Sequence, residues 1–142
     1  MYYKGEGVQK DIKQAAQWFK KAADQGNAIA QINLGNMYYN GEGVQKDIQK
    51  AVELFKKSAD QGYANAQSNL ALMYYNGEGV QKDYKQTVEW FKKAADQGNA
   101  NAQSNLGIMY ENGYGVQKDI KQAVEWFKKA ADQGYANAQI NL

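Results

Sequence analysis

The 142-residue sequence contains no cysteine, no histidine and no proline, and all 17 of its basic residues are lysine. Without cysteine there is no disulfide framework, no thiolate nucleophile and no cysteine zinc site. Without histidine the commonest general base and metal ligand is missing. The lack of proline suits uninterrupted helices. Net charge is only +2, from 17 basic and 15 acidic residues, so the strongly basic surface of a nucleic-acid binder is not expected. No apolar run approaches the ~20 residues that span a bilayer, so membrane insertion is not expected. Met1-Tyr2-Tyr3-Lys4-Gly5 lacks the apolar stretch of a signal peptide. A cysteine-free chain suits any compartment, which leaves localisation open. What remains is 44% apolar and 23% charged, a composition for a globular domain or a short repeat array.

The array reading is decided by internal repetition. Gly5, Gly41, Gly77 and Gly113 recur every 36 residues without insertion, as do Gly26, Gly62, Gly98 and Gly134. Segments 77–106 and 113–142 agree at 25 of 30 positions, differing only at Glu78/Tyr114, Tyr84/Ile120, Thr87/Ala123, Asn99/Tyr135 and Ser104/Ile140. The units fall at 28–63, 64–99 and 100–135, with partial units at 1–27 and 136–142.

Each unit reads as two helices. In the unit starting at Ala28 the first is predicted to Tyr39, with Asn40 and Gly41 supplying left-handed positions that stop it. Val44 is expected to pin the loop, and Asp47 to cap the second helix. Gln14, Gln86 and Gln122 follow Asp11, Asp83 and Asp119 by three residues, the spacing of a capping box. The second helix is predicted to run to about Gln61. Its apolar residues Ile48, Ala51, Val52, Phe55 and Ala59 share one face. Glu53 and Lys57 are spaced for an exposed pair worth at most ~0.5 kcal/mol. In the first helix Ala30, Leu34, Met37 and Tyr38 form the buried side. Gly35, Ala71 and Gly107 occupy one repeat position, where a tiny residue implies close approach of a partner helix. A single hairpin cannot bury its apolar face, but stacked hairpins can, so the expected fold is an all-α solenoid.

The residues Ala64, Ala66-Gln67, Leu70-Ala71, Met73-Tyr74, Gly77-Glu78-Gly79-Val80, Asp83, Trp90-Phe91 and Ala94-Ala95-Asp96-Gln97-Gly98 resemble the Sel1-like repeat, a tetratricopeptide-type helical repeat with a longer loop inside the unit. The resemblance covers essentially the whole chain in about four copies. It implies a right-handed α/α superhelix with a concave face and adaptor work in protein complexes. Some bacterial members bind or hydrolyse β-lactams. Those carry paired cysteines in each repeat and this chain has none, so that activity is only an alternative. Near-identical copies are also what a consensus array with no natural partner would have.

Differences among the copies point to where binding would sit. In the first helices, positions 29/65/101, 32/68/104, 36/72/108 and 39/75/111 vary. At 100° per residue, 29, 32 and 36 fall within about 60° of one another, away from Leu34 and Met37. The family resemblance makes this stripe the concave face. The candidate binding residues are therefore Ile29, Ile32, Asn33, Asn36 and Tyr39 in one unit. Asn65, Ser68, Asn69, Leu72 and Tyr75 follow in the next, and Asn101, Ser104, Asn105 and Ile108 in the third. An asparagine amide offers donors and acceptors that match an extended backbone, so a ladder of Asn33, Asn69 and Asn105 suits a protein or extended-peptide partner. Solvation or helix capping is the competing reading of these amides. Asn40, Asn76 and Asn112, beside glycine, are expected to be caps. Phe19, Phe55, Phe91 and Phe127 are expected in the core. Trp18, Trp90 and Trp126, which alternate with Leu54, are expected against a neighbouring helix.

Signs of catalysis are few. Ser58, Ser68 and Ser104 lack a lysine three residues on, so the Ser-x-x-Lys arrangement is missing. No P-loop or dinucleotide fingerprint occurs, and no metal or cofactor is expected. Glu42 and Glu78 lie near Asp47 and Asp83, but Tyr114 replaces that glutamate in the last copy. The array is out of register with its units: Met1-Tyr2-Tyr3 matches the end of a first helix, and Ala136–Leu142 the start of another. A piece of a longer array is therefore expected, with Ala16 and Phe19 at one end and Leu142 at the other exposed for head-to-tail self-association.

Overall fold

A computed structural model describes residues 6–134. Among them are seven helices and no strand: α1 (Glu6–Asp24), α2 (Ala28–Asn40), α3 (Ile48–Asp60), α4 (Ala64–Asn76), α5 (Tyr84–Asp96), α6 (Ala100–Asn112) and α7 (Ile120–Asp132). None is long and apolar enough to cross a membrane. Each helix packs on its neighbours in the chain, giving a solenoid of hairpins.

The breaks between helices follow from local chemistry. Asp47, Asp83 and Asp119 are extended, and each carboxylate accepts the N–H three residues on, from Lys50, Gln86 and Gln122 at 3.1 Å. The first helices end on left-handed Gly41, Gly77 and Gly113, whose N–H groups return to the carbonyls of Met37, Met73 and Met109. Among the described residues every positive φ belongs to glycine, so Asn40 closes α2 in helical geometry and is not a left-handed residue. No side-chain bond completes the expected capping box. The N–H groups it would satisfy, those of Asp47, Asp83 and Asp119, already donate to the carbonyls of Tyr38, Tyr74 and Tyr110 at 2.9–3.0 Å.

Asp11 departs from this pattern, because α1 runs through it. In the later units the Gly-x-Gly loop lies on the second helix of the unit before. A Cβ added to Gly43 would fall 2.7 Å from the Ile12 carbonyl oxygen, and one on Gly79 3.1 Å from that of Ile48. Around Asp11 the described chain is helical from Glu6 onward.

The core is continuous from α3 to α6. Phe55 and Phe91 are 1% exposed, and Leu70, Leu106, Ala71 and Ala94 are fully covered. Full burial of one such large side chain contributes roughly 1.5–3 kcal/mol. Gly35 and Gly107 sit against Phe55 and Phe127, whose rings lie where a glycine Cβ would project. Ala71 holds the same position with its methyl buried.

The ends differ from expectation. Ala16 is buried by the packing of α1 on α2, Phe19 is half-buried, and Leu142 lies outside the described residues. Trp18 is 65% exposed while Trp90 is 9% exposed. Leu54, at the same repeat position, packs near Ala23, Ala30 and Leu34. At the other end Ile120 and Val124 are exposed, though Val52 and Val88 at the latter's repeat position are buried.

Candidate functional site

Successive first helices leave two adjoining depressions between them. One, of about 180 Å³, lies between α2 and α4 and is lined by Asn36, Tyr39, Asn69, Leu72, Asn76 and Glu78, with Phe55 and Met73 at its floor. The next, of about 130 Å³, lies between α4 and α6 and is lined by Leu72, Tyr75, Asn105 and Ile108 over Phe91 and Met109. Leu72 belongs to both and partitions them. The floor residues are structural, while the rim combines variable positions (Asn36, Tyr39, Leu72, Tyr75, Ile108) with the recurring Asn69, Asn76 and Asn105 and the loop residue Glu78.

Of the fourteen candidate residues, seven line these depressions: Asn36, Tyr39, Asn69, Leu72, Tyr75, Asn105 and Ile108. Ser68 and Ser104 are buried at 6% and 2% exposure, which removes their hydroxyls from the reach of a partner. Ile32 packs partly against the core, and Asn33 is half-buried. Ile29 is exposed toward the start of α2. Asn65 is exposed and accepts from the Asn99 amide at 3.1 Å. Asn101 accepts from Asn105, at 2.6 Å, so these two amides partly satisfy each other. Asn141 lies outside the described residues.

Glu78, a residue of the loop after α4, belongs to the rim. The Tyr39 hydroxyl donates to its two oxygens at 3.3 and 3.2 Å, and the Asn76 amide donates at 3.3 Å. The hydrogen bond to Glu78 raises the Tyr39 pKa above its ordinary value, helped by burial and the carboxylate's charge, so Tyr39 remains a donor. Thirty-six residues on, Tyr75 faces Tyr114 in place of Glu78, and Tyr84 replaces Ile48. Tyr84 stacks on Tyr114 at 5.0 Å and lies 5.3 Å from Tyr75, with Lys82 Nζ 4.9 Å above its ring. Glu78 to Tyr114 and Ile48 to Tyr84 thus form one exchange. In the sequence the two changes fall in different copies, and nothing in either copy joins them.

Sequence reasoning also passed over Gln31, Gln67 and Gln103, although each holds the same place in its copy. All three are buried. Their amides donate to the carbonyls of Ala23, Ala59 and Ala95, in the last turn of the preceding second helix, at 3.1–3.3 Å. Such terminal carbonyls have no partner within their own helix. Each glutamine then accepts from Gln61, Gln97 or Gln133 at 2.8–2.9 Å. Ser58 adds a buried bond to the Ala28 carbonyl at 3.0 Å. This polar spine holds the hairpins in register beneath the depressions. Among the described residues, no buried side-chain polar atom lacks a partner.

Known proteins agree with this architecture. The Sel1 repeat profile matches residues 1–27, 28–63, 64–99 and 100–135. No curated protein gives a significant match. Among solved structures, the protective antigen c5321 of uropathogenic Escherichia coli strains, which displays an SLR fold, is 45% identical with a TM-score of 0.88, over 91% of this chain and 28% of that one. A Sel1 repeat protein from Oxalobacter formigenes is 38% identical with a TM-score of 0.86, over 89% of this chain and 51% of its own. The Helicobacter pylori cysteine rich protein B is 29% identical with a TM-score of 0.75, over 95% and 97%. The chain therefore spans about a quarter and a half of the lengths of the first two relatives. Four matched units, arranged as stacked helical hairpins, place the chain in the Sel1 repeat family.

Proposed function

We propose that the chain is a non-catalytic scaffold that binds an extended protein segment along the depressions between its first helices. Sel1-repeat proteins are generally protein-interaction scaffolds, which sets the class. The observation that carries the finer reading is the placement of Asn69 and Asn105 on the rims of two adjoining depressions with apolar floors. Amides at that spacing can hold a backbone while the floors accept alternate side chains. Random heptapeptides displayed on phage and selected on the protein should be enriched. Asn69→Ala combined with Asn105→Ala should weaken a selected peptide at least tenfold, and unchanged affinity removes the ladder. With no cysteine in the chain, a nitrocefin assay is expected to show no turnover by clean protein; sustained hydrolysis would overturn the non-catalytic reading.

A further inference from the structure

The two depressions share a wall but differ in chemistry. The first is rimmed by the Glu78 carboxylate and the amides of Asn36, Asn69 and Asn76. The second carries no charged residue in its lining, and its rim is Leu72, Tyr75, Asn105 and Ile108. Beside the second, Lys82 rests on the Tyr84 ring, so a cation is repelled there and favoured only at the first. Tyr39 and Asn76 each give Glu78 a neutral donor, which leaves its negative charge without a cationic partner among the lining residues. Two carboxylate oxygens can accept more bonds than these.

We propose that the groove selects an extended segment carrying a lysine or arginine seated against Glu78 and a leucine-sized aliphatic side chain seated between Leu72 and Ile108. This rests on the peptide-binding reading above. The position of Glu78 accepts replacement without loss of the loop, since Tyr114 occupies it one repeat later, so substitutions there are suitable probes.

The test begins with the same heptapeptide selection. Enriched sequences should pair a basic with an aliphatic residue at one fixed separation. A synthetic acetyl-Gly-Lys-Pro-Ala-Leu-Gly-amide should lose about tenfold in affinity when its lysine becomes glutamine, the usual worth of a charge-assisted hydrogen bond. Glu78→Gln should erase that tenfold difference, and Glu78→Lys should invert it toward a peptide with glutamate in place of lysine. Ile108→Asn should weaken both the lysine and glutamine peptides equally. Circular dichroism on each variant separates binding loss from unfolding. Enriched peptides without a basic residue, or a lysine preference indifferent to Glu78→Gln, overturn the selectivity while leaving the groove intact. No enrichment of any peptide overturns the groove itself.

Discussion

The joint between α2 and α4 and the joint between α4 and α6 share one frame and differ in their rims. Both rest on a buried phenylalanine, Phe55 or Phe91, and both are stitched by a glutamine pair. The first joint closes with Tyr39 on Glu78, and the second with the ring cluster of Tyr75, Tyr84 and Tyr114. The frame must recur because every hairpin needs the same cover. The rim is free to vary because water or a partner completes it.

The largest effects should leave the comparison flat. Phe55→Ala and Phe91→Ala should each cost about 3–5 kcal/mol, equal within about 1 kcal/mol by urea unfolding. A clearly larger cost for Phe91→Ala would show that the tyrosine cluster bears on the frame. Converting one rim into the other comes next. Tyr84→Ile and Tyr114→Glu each remove ring contacts worth roughly 0.5–1.5 kcal/mol. Together they should cost about 1 kcal/mol less than the sum, because each single substitution already removes the Tyr84–Tyr114 stack they share. Strict additivity would deny that the two exchanges are coupled.

A smaller change concerns how the first helices begin. Asn27 and Asn99 cap α2 and α6 by accepting the N–H of Ala30 and Ala102 at 2.9 and 2.8 Å, while Tyr63 gives α4 no such bond. Tyr63 is exposed, so Tyr63→Asn should stabilise by about 1 kcal/mol; a fall in melting temperature would mean that the ring packs usefully.

The smallest effect is alkaline. Tyr39 is held above its ordinary 10.0 chiefly by the hydrogen bond to Glu78, and Lys82 above its ordinary 10.5 chiefly by Tyr84. Each keeps its proton to higher pH when folded than when unfolded. Both contributions are therefore complete below the unfolded values and are lost as pH rises through the folded ones. Melting temperature should begin to fall above about pH 10. Tyr39→Phe should remove the first joint's share and Tyr84→Phe the second's. An identical alkaline decline in both variants and the parent would refute this assignment.

The repeated glycines, aspartates and apolar faces were legible because each acts over a few residues: a left-handed stop, an N-cap, a helical stripe. Gly35 and Gly107 were readable as close contacts for the same reason, since only a neighbour explains glycine within a helix. The burial of Ser68 and Ser104 was not legible. They share a variable column with half-buried Ile32, and which depth a residue reaches depends on the next hairpin. Glu78 was missed because its partner, Tyr39, lies 39 residues earlier.

Period, helix limits and family thus came from the chain alone, since they depend on local torsions and on periodic burial that one copy announces for all. Which rim residues meet, and where a carboxylate stands beside a tyrosine, were decided by tertiary packing. Those outcomes depend on the presence and identity of the hairpin next door, and a sequence read one unit at a time does not carry that distance.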